Sequence, residues 1–198
     1  VALDTIGSNS STTARIAGTL SHVVNGSDRY LLVLAVSGDP TDADRVVSSV
    51  TYAGSSMTQV RTDDNLASNY TSDWWRLIAP NTGTNNIIVN WTGTVGISGV
   101  VGISLTGVDQ VAPEANAGTT LTDGGIITGT ITTVSGTAWI MEGGILGGND
   151  AITPTAGQTA RVNNTIGAGE EFFMSTEEIV TAGANTQTWG TAGSFRDW

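Results

Sequence analysis

Cysteine and lysine are both absent from this chain, and each absence excludes a class of chemistry. Without cysteine there can be no disulfide, no thiolate nucleophile and no cysteine-ligated zinc or iron–sulfur site. Without lysine there can be no Schiff base and no P-loop contact to a nucleotide phosphate. The only histidine is His22, in the middle of a predicted strand. We interpret it as a surface or packing residue rather than part of a metal cluster or a Ser/His/Asp triad.

Charge is scarce as well: charged residues make up 13% of the 198 residues, and the formal net charge is −11. Such an acidic chain would repel the phosphate backbone of a nucleic acid, so nucleic-acid binding is not expected. No apolar run approaches the roughly 18 residues that a membrane span needs. The chain begins at Val1 without methionine or a basic, apolar leader. This favours a processed product that is extracellular or located on a cell or virion surface.

What the sequence does contain is a series of short segments rich in Val, Ile, Thr and aromatic residues, separated by Gly, Asn, Asp or Pro. The continuous apolar runs "RYLLVLAV" and "GVVGISL" predict central strands that are covered on both faces. The only helix candidate is Glu170–Ile179, and its aromatic residues fit a strand at least as well.

About ten strands with a turn signal roughly every 8 to 12 residues predict an all-β fold, a two-sheet antiparallel β-sandwich of jelly-roll-like form. Residues 1–11 are predicted to be an N-terminal arm or first strand. Residues 12–198 are predicted to form a single β-sandwich domain.

Three motifs support this fold: "SVTYAG" at Ser49–Gly54, "WRLIAPNTGT" at Trp75–Thr84 and "SLTGVDQVAP" at Ser104–Pro113. Together they resemble an uncharacterised β-sandwich module of secreted bacterial surface proteins and of phage- and virion-associated proteins. The family has a glycine pair after the tyrosine of the first motif, whereas this chain has Ala53–Gly54. Members have no assigned catalytic site, so the resemblance implies the fold and no reaction.

The resemblance also implies a further apolar strand after the segment that ends in Trp198. Its absence would leave an unpaired sheet edge and an apolar groove, which a second subunit could fill. Val1, Leu3 and Thr5 alternate as a strand does, and a Gly/Ser/Asn tether follows them at 7–11, so this segment could be donated to a neighbour. Two alternatives stay open: residues 1–5 pair within their own chain, or the sequence was cut before its final strand.

The most acidic turn is "DPTDADR", which brings Asp39, Asp42 and Asp44 close together. Closely spaced carboxylate oxygens on a turn are ligands that Ca²⁺ prefers, so the loop predicts a calcium site, although it lacks the EF-hand spacing. Acidic residues are also common in turns that bind no metal. Further oxygen ligands could come from two other loops, with Asp63, Asp64 and Asn65 in one and Asn149 and Asp150 in the other.

Carboxylates and tryptophans provide two further candidate sites. A glycosidase needs two facing carboxylates, and Glu142 could pair with an acid of the later "EEFFMSTEEI" segment, which contains Glu170, Glu171, Glu177 and Glu178. The aromatic and hydrogen-bonding residues that usually surround such a pair are not clustered nearby in the sequence. Trp74 and Trp75 are adjacent on a predicted strand and must point to opposite faces, so one can fill the core while the other forms a ligand platform.

These patterns favour a non-enzymatic structural subunit or module of an exposed assembly, such as a virion surface, fibre, extracellular filament or surface layer. Subunits would be joined by strand pairing, with Val1, Leu3 and Trp198 as assembly residues, so self-association is expected. The alternative is a carbohydrate- or cell-surface-binding module that uses Trp74 and Trp75. A glycoside-active enzyme is a third hypothesis, and calcium is the only cofactor that the sequence indicates.

Overall fold

The structure, a computed structural model, describes residues 1–38, 46–65, 69–118, 127–148, 152–167, 169–179 and 181–191. Within these ranges the chain forms antiparallel strands and the predicted all-β class is confirmed. In chain order the strands are β1 (Ala2–Ser11), β2 (Arg15–Val24), β3 (Tyr30–Gly38), β4 (Val47–Tyr52), β5 (Ser55–Ser56), β6 (Thr58–Asn65), β7 (Tyr70–Ile78), β8 (Gly83–Val95), β9 (Ile97–Thr106), β10 (Ile127–Thr133), β11 (Trp139–Gly147), β12 (Ile152–Pro154), β13 (Thr159–Ile166), β14 (Glu170–Glu178) and β15 (Gly183–Thr191). The helix candidate at Glu170–Ile179 is therefore a strand, and the described residues include no helix long and apolar enough to cross a membrane.

The strands form four hydrogen-bonded sheets. The five-stranded sheet has the order β1-β9-β3-β7-β6, and the four-stranded sheet has the order β2-β8-β4-β5. The inner three-stranded sheet has the order β11-β14-β13, and the outer three-stranded sheet has the order β10-β15-β12. Residues before position 107 thus form the two larger sheets, and residues after position 126 form the two smaller ones.

Apolar cores between the sheets show that the four sheets are stacked as layers. The first core, which includes Val33 and Val89, joins the four-stranded to the five-stranded sheet. The second core, which includes Leu34 and Phe172, joins the other face of the five-stranded sheet to the inner three-stranded sheet. A third, smaller core joins the two three-stranded sheets, where the rings of Phe173 and Trp189 meet edge to face with centroids 4.7 Å apart.

Strand β3 explains why the five-stranded sheet lies inside the stack. All of its residues are buried, and it pairs with β7 on one side and β9 on the other. Its side chains alternate, so that Leu31 and Val33 enter the first core while Leu32 and Leu34 enter the second. The prediction of central strands covered on both faces is therefore confirmed.

The four-stranded and five-stranded sheets enclose the first core as the predicted antiparallel sandwich does, and the two three-stranded sheets extend the stack beyond it. A jelly-roll connectivity stays a prediction. The N-terminal segment forms β1, which pairs with β9 of its own chain from Ala2 opposite Thr106 to Ser11 opposite Ser98. The hypothesis that residues 1–5 are donated to a neighbour is corrected accordingly, because this segment already has a partner strand.

The inner three-stranded sheet is narrower than the sheet that it covers, and this difference positions the candidate site. Its strand β11 lies over β7 and β3, so β6 at the edge of the five-stranded sheet is left to the irregular segment 107–118. One end of this segment is held by hydrogen bonds from the Gly107 and Val108 amides to the Ser27 and Asp28 carbonyls. At the other end Gly118 packs so tightly that a Cβ there would overlap the side chains of Arg61 and Asp63.

Leu32→Ala and Val101→Ala test the assignment of the second core. Both residues are buried between the five-stranded and inner three-stranded sheets, so each substitution should lower the free energy of unfolding by about 2 to 4 kcal/mol in chemical denaturation. Ile16→Ala is the matched control, because Ile16 is 62% exposed and its loss should change that free energy by less than about 0.5 kcal/mol. Near-neutral values at both buried positions would contradict the layer assignment.

Candidate functional site

A cavity lies where the segment 107–118 bridges the five-stranded sheet and the start of β11. Its volume is about 370 Å³. Most of its lining is apolar and comes from β3, β6, β7, β9, β10, β11 and the bridging segment, with Leu32, Val60, Leu105, Val108 and Met141 among the residues that line it. Cavities of this size and character are typical of small-molecule sites.

Trp74 and Trp75 point in opposite directions, as their adjacent positions in β7 predict. Trp75 is 8% exposed and packs in the first core between the two larger sheets. Trp74 is half-buried, packs beside the second core and lines the cavity. The predicted ligand role is therefore corrected for Trp75, whose side chain lies in the opposite core, whereas the position of Trp74 is compatible with that role.

Two buried hydrogen-bond donors line the cavity, and neither has an acceptor among the described residues. They are the hydroxyl of Tyr30, which is 4% exposed as a residue, and the indole Nε1 of Trp139. Burial raises the pKa of Tyr30, and a hydrogen bond from Arg76 and the charge of its guanidinium oppose this rise. The phenol oxygen thus accepts from Arg76, and its O–H stays able to donate to a ligand. An unsatisfied buried donor costs roughly 1 to 3 kcal/mol, and a ligand with acceptor atoms would recover that energy.

A bidentate ion pair forms one wall of the site. The Arg61 Nε and Nη2 atoms donate to the two carboxylate oxygens of Asp63 at 2.6 and 2.5 Å. These hydrogen bonds raise the pKa of Arg61, which burial opposes. Since both oxygens of Asp63 already accept from Arg61, this carboxylate is poorly placed to supplement a calcium site as the sequence suggested.

A smaller cavity of about 70 Å³ adjoins the first and is lined by the buried carboxylate of Glu142 on β11. Oxygen Oε2 of Glu142 accepts hydrogen bonds from Gln158 Nε2 at 2.7 Å and Trp189 Nε1 at 3.0 Å, and Ser175 Oγ lies at 3.5 Å. Oxygen Oε1 has no partner among the described residues. Burial raises the pKa of Glu142 to about 7; these hydrogen bonds oppose the rise and the nearby Glu177 adds to it.

The two cavities share part of their lining, so we treat them as one site and call them the paired cavities. The shared residues are Trp74, Ala117, Ile131, Ile140 and Met141. The larger cavity offers an apolar surface with donors from Tyr30 and Trp139, and the smaller one offers an acceptor from Glu142. This arrangement can bind a molecule with an apolar body and polar ends.

His22 is 3% exposed and belongs to a different, fully structural network at the edges of the two larger sheets. Its Nε2 lies 3.2 Å from Thr5 Oγ1 and 3.3 Å from Ser104 Oγ, and Ser104 donates to Asp4 Oδ2 at 3.0 Å. In a catalytic triad the carboxylate orients the histidine, whereas here it accepts from the serine, which is itself buried. Burial lowers the pKa of His22 to about 4, against the opposing charge of Asp4, so the network joins β1, β2 and β9 around a neutral imidazole.

A second buried acid, Asp73, lies on the opposite side of β7 from the paired cavities. It is 0% exposed, and burial raises its pKa to about 6 against the hydrogen bonds that it accepts. Its donors are Thr62 Oγ1 at 2.5 Å, Gln59 Nε2 at 3.0 Å and the Val47 amide at 3.4 Å. With these three donors in place, Asp73 has a structural role at the edge of the first core.

The predicted calcium ligands Asp39, Asp42 and Asp44, together with Asn149 and Asp150, lie outside the described residues, and so does the predicted assembly residue Trp198. Of the other assembly residues, Val1 is 45% exposed and lines the larger cavity, while Leu3 packs beside the second core. Within the described ranges, no three His, Cys, Asp or Glu side chains lie close enough to hold a metal ion. The calcium site stays a prediction.

Sequence analysis identified Trp74 and Glu142 but missed Tyr30, Arg61 and Trp139 as parts of one site. Glu142 stood out as the only acid on a predicted strand of small and apolar residues, whereas Tyr30 and Trp139 look like ordinary core residues. Their convergence depends on the bridging segment 107–118, whose contacts are not encoded in any local pattern. Of the later acids, Glu177 lies close enough to raise the pKa of Glu142, and its Oε2 accepts from Gln187 Nε2 at 2.6 Å. A catalytic pair of carboxylates stays a prediction.

Comparison with known proteins adds no assignment to this geometry. A scan against protein-family models found no match, and searches of curated proteins and of solved structures found none either.

The raised pKa of Glu142 predicts how stability depends on pH. The folded state holds this proton more tightly than the unfolded state, whose ordinary pKa is 4.5. The free energy of unfolding should therefore fall as pH rises from about 4.5 to about 7, by about 3 kcal/mol from this residue. The raised pKa of Asp73 also makes the free energy of unfolding fall as pH rises, over a lower pH range. The lowered pKa of His22 makes that free energy rise with pH.

Comparing the parent protein with Glu142→Gln isolates this contribution, because Asp73 and His22 are common to both. Denaturant unfolding across this pH range should show a smaller loss of stability in Glu142→Gln than in the parent. The exposed Glu178→Gln serves as the control and should keep the parental slope. Equal slopes in all three proteins would show that Glu142 is not buried as described.

Proposed function

We propose that this chain is a non-enzymatic binding module of an exposed protein, and that it binds a small amphipathic molecule in the paired cavities. The observation that carries the proposal is a largely apolar cavity of about 370 Å³ whose lining includes two buried donors that have no acceptor among the described residues. Ligand sites usually combine a largely apolar lining with a few well-placed polar groups. The half-buried indole of Trp74 supplies a flat apolar surface of the kind that binds rings and alkyl chains.

The lining favours an amphipathic ligand over an extended glycan. A sugar presents hydroxyl groups on most sides and needs many hydrogen-bonding partners, whereas most residues along this cavity are aliphatic or aromatic. Polar side chains are a minority of the lining, and besides Tyr30, Arg61 and Trp139 they are those of Asp109, Glu114, Asn116, Thr133, Ser135 and Thr137. The sequence suggested a carbohydrate or cell-surface ligand as an alternative. A glycan array, run in parallel with the dye experiment below, would detect binding of a glycan.

Filling the cavity tests the proposal. The neutral dye N-phenyl-1-naphthylamine should fluoresce on binding the parent protein, because the cavity shields it from water. Ala115→Trp places an indole in the larger cavity and should weaken dye affinity by at least about tenfold, which corresponds to about 1.4 kcal/mol. Ala14→Trp is the matched control, since Ala14 is exposed in the turn after β1 and does not line the site.

Thermal unfolding of both variants should first show that each retains the fold. Dye binding that is absent from the parent protein would contradict the proposal. Equal binding to the parent and to a folded Ala115→Trp variant would place the dye elsewhere on the surface and would contradict it too.

A second candidate function is the structural module in an exposed assembly that the sequence favoured, and β1 is the observation that supports it. This strand is ten residues long, and among the described strands its backbone pairs only with β9. Its other side is a sheet edge that touches β2 through side chains, with Thr5 and Asn9 donating to the Val23 and Thr19 carbonyls. Long unprotected edges are sites for pairing with another chain. Ser8 and Ser10 on this strand are exposed and carry no charge.

Introducing positive charge on the edge strand β1 tests this second candidate function. Pairing of β1 with β1 of a second copy should make the mass measured by light scattering rise with protein concentration. Ser8→Lys with Ser10→Lys should suppress that rise without lowering the melting temperature, because lysine on an edge strand disfavours further pairing. Thr13→Lys, in the exposed turn that follows β1, should leave association unchanged. A parent protein of constant monomer mass would contradict self-association.

A further inference from the structure

The acid end of the paired cavities indicates which class of molecule they bind. Glu142 is 9% exposed, its Oε2 is fully engaged and its Oε1 has no partner among the described residues. An ionised carboxylate is costly to bury without a compensating charge, and no described cation lies next to this one: Arg61, on the nearest wall, donates to both oxygens of Asp63. The free oxygen thus favours a ligand that brings its own positive charge and donor.

We propose that the paired cavities bind a primary amine with an apolar body, whose ammonium group donates to Oε1 of Glu142. This inference rests on the proposed function and specifies the ligand class for the same site. The alkyl or aryl body would lie in the larger cavity against Trp74, and the ammonium group in the smaller one.

The groups around the smaller cavity match the needs of an ammonium ion, which has three donors and no acceptor. Besides Glu142, the hydroxyls of Ser72 and Thr130 and the side chain of Gln187 line this cavity, and all of them carry an oxygen that can accept. A carboxylate ligand would instead meet Glu142 as a like charge. The net charge of −11 also favours the approach of a cation over that of an anion.

A metal cation fits the same place less well. Hard cations require several oxygen ligands of high charge, and here Glu142 is the only carboxylate with an uncommitted oxygen, since Asp63 is held by Arg61. An alcohol could donate to Oε1 but would leave the carboxylate charge uncompensated. Three ligands with the same alkyl chain and an amine, alcohol or carboxylate end group make the same apolar contacts. Differences in their affinity therefore report recognition of the charged end.

Displacement of N-phenyl-1-naphthylamine by hexylamine, 1-hexanol and hexanoate tests the proposal at about pH 8.5, where Glu142 is ionised and the amine is still mostly protonated. Hexylamine should displace the dye at a concentration at least about tenfold lower than 1-hexanol, because a hydrogen bond to a charged partner adds to the same apolar contact. Hexanoate should be the weakest. Butylamine should bind about tenfold more weakly than hexylamine, since it buries two fewer methylene groups.

Glu142→Gln removes the charge while keeping the shape of the side chain. Hexylamine and 1-hexanol should then displace the dye at equal concentrations, each concentration being corrected for the dye affinity measured in this variant. Glu178→Gln is the matched control, because Glu178 is exposed and does not line the site, and it should keep the amine preference.

The pH dependence of the parent protein gives a second readout. The preference for hexylamine over 1-hexanol should weaken at about pH 5.5, where Glu142 is protonated. Among the described residues, the other charged side chains that face the site are Glu177 on β14, the Arg61–Asp63 pair on β6, and Asp109 and Glu114 on the bridging segment. Glu142→Gln leaves those groups in place, so a change in preference with pH that is seen in the parent protein and lost in this variant would report Glu142.

The outcomes separate the two proposals. If the dye binds but 1-hexanol and hexylamine displace it equally well, the binding function stands and the proposal of an amine ligand is overturned. Water or an alcohol would then satisfy Oε1 of Glu142. An amine preference that survives in Glu142→Gln, or that does not vary with pH, would overturn Glu142 as the acceptor. Absence of dye binding would overturn the proposed function itself.

Discussion

Burial of the five-stranded sheet on both faces is the constraint from which the rest of the structure follows. Every residue of β3 is buried, and its side chains alternate between two apolar cores. Such a sheet must be covered twice, by the four-stranded sheet on one face and the inner three-stranded sheet on the other. The inner sheet is then apolar on its second face as well, where Leu146 and Phe173 are buried, and the outer three-stranded sheet covers them.

The candidate site arises because this covering is incomplete. Strands lie about 4.8 Å apart, so a three-stranded sheet is roughly 10 Å narrower than a five-stranded one and leaves part of its face uncovered. Here the uncovered part includes β6 and the adjoining side of β7, which carries Trp74. The irregular segment 107–118 crosses this gap without the regular side-chain packing of a strand. A cavity with aromatic walls is the physical result of that mismatch in width.

Sequence analysis predicted the features that follow from the alternation of side chains along one strand. It missed the features that depend on how strands far apart in the chain pair and stack. The burial of β3 and the opposite directions of Trp74 and Trp75 follow from strand geometry alone. The four-layer stack does not, because the later strands have the same short, Thr- and Gly-rich character as strands of a two-sheet sandwich. Glu142 was identifiable as an acid on a strand, but its burial depends on Trp189, which lies 47 positions later in the chain.

Unpartnered polar atoms do not by themselves identify a site in this protein. The indole nitrogens of Trp75 and Trp91 also lack a partner among the described residues, yet both lie in the apolar first core and line neither of the paired cavities. Tyr30, Trp139 and Glu142 differ because each lines a cavity with room for other atoms. Their polar atoms also complement one another, with donors at the larger cavity and an acceptor at the smaller one. It is this combination of space, apolar walls and opposed polar ends that supports the proposal of an amphipathic ligand for the paired cavities.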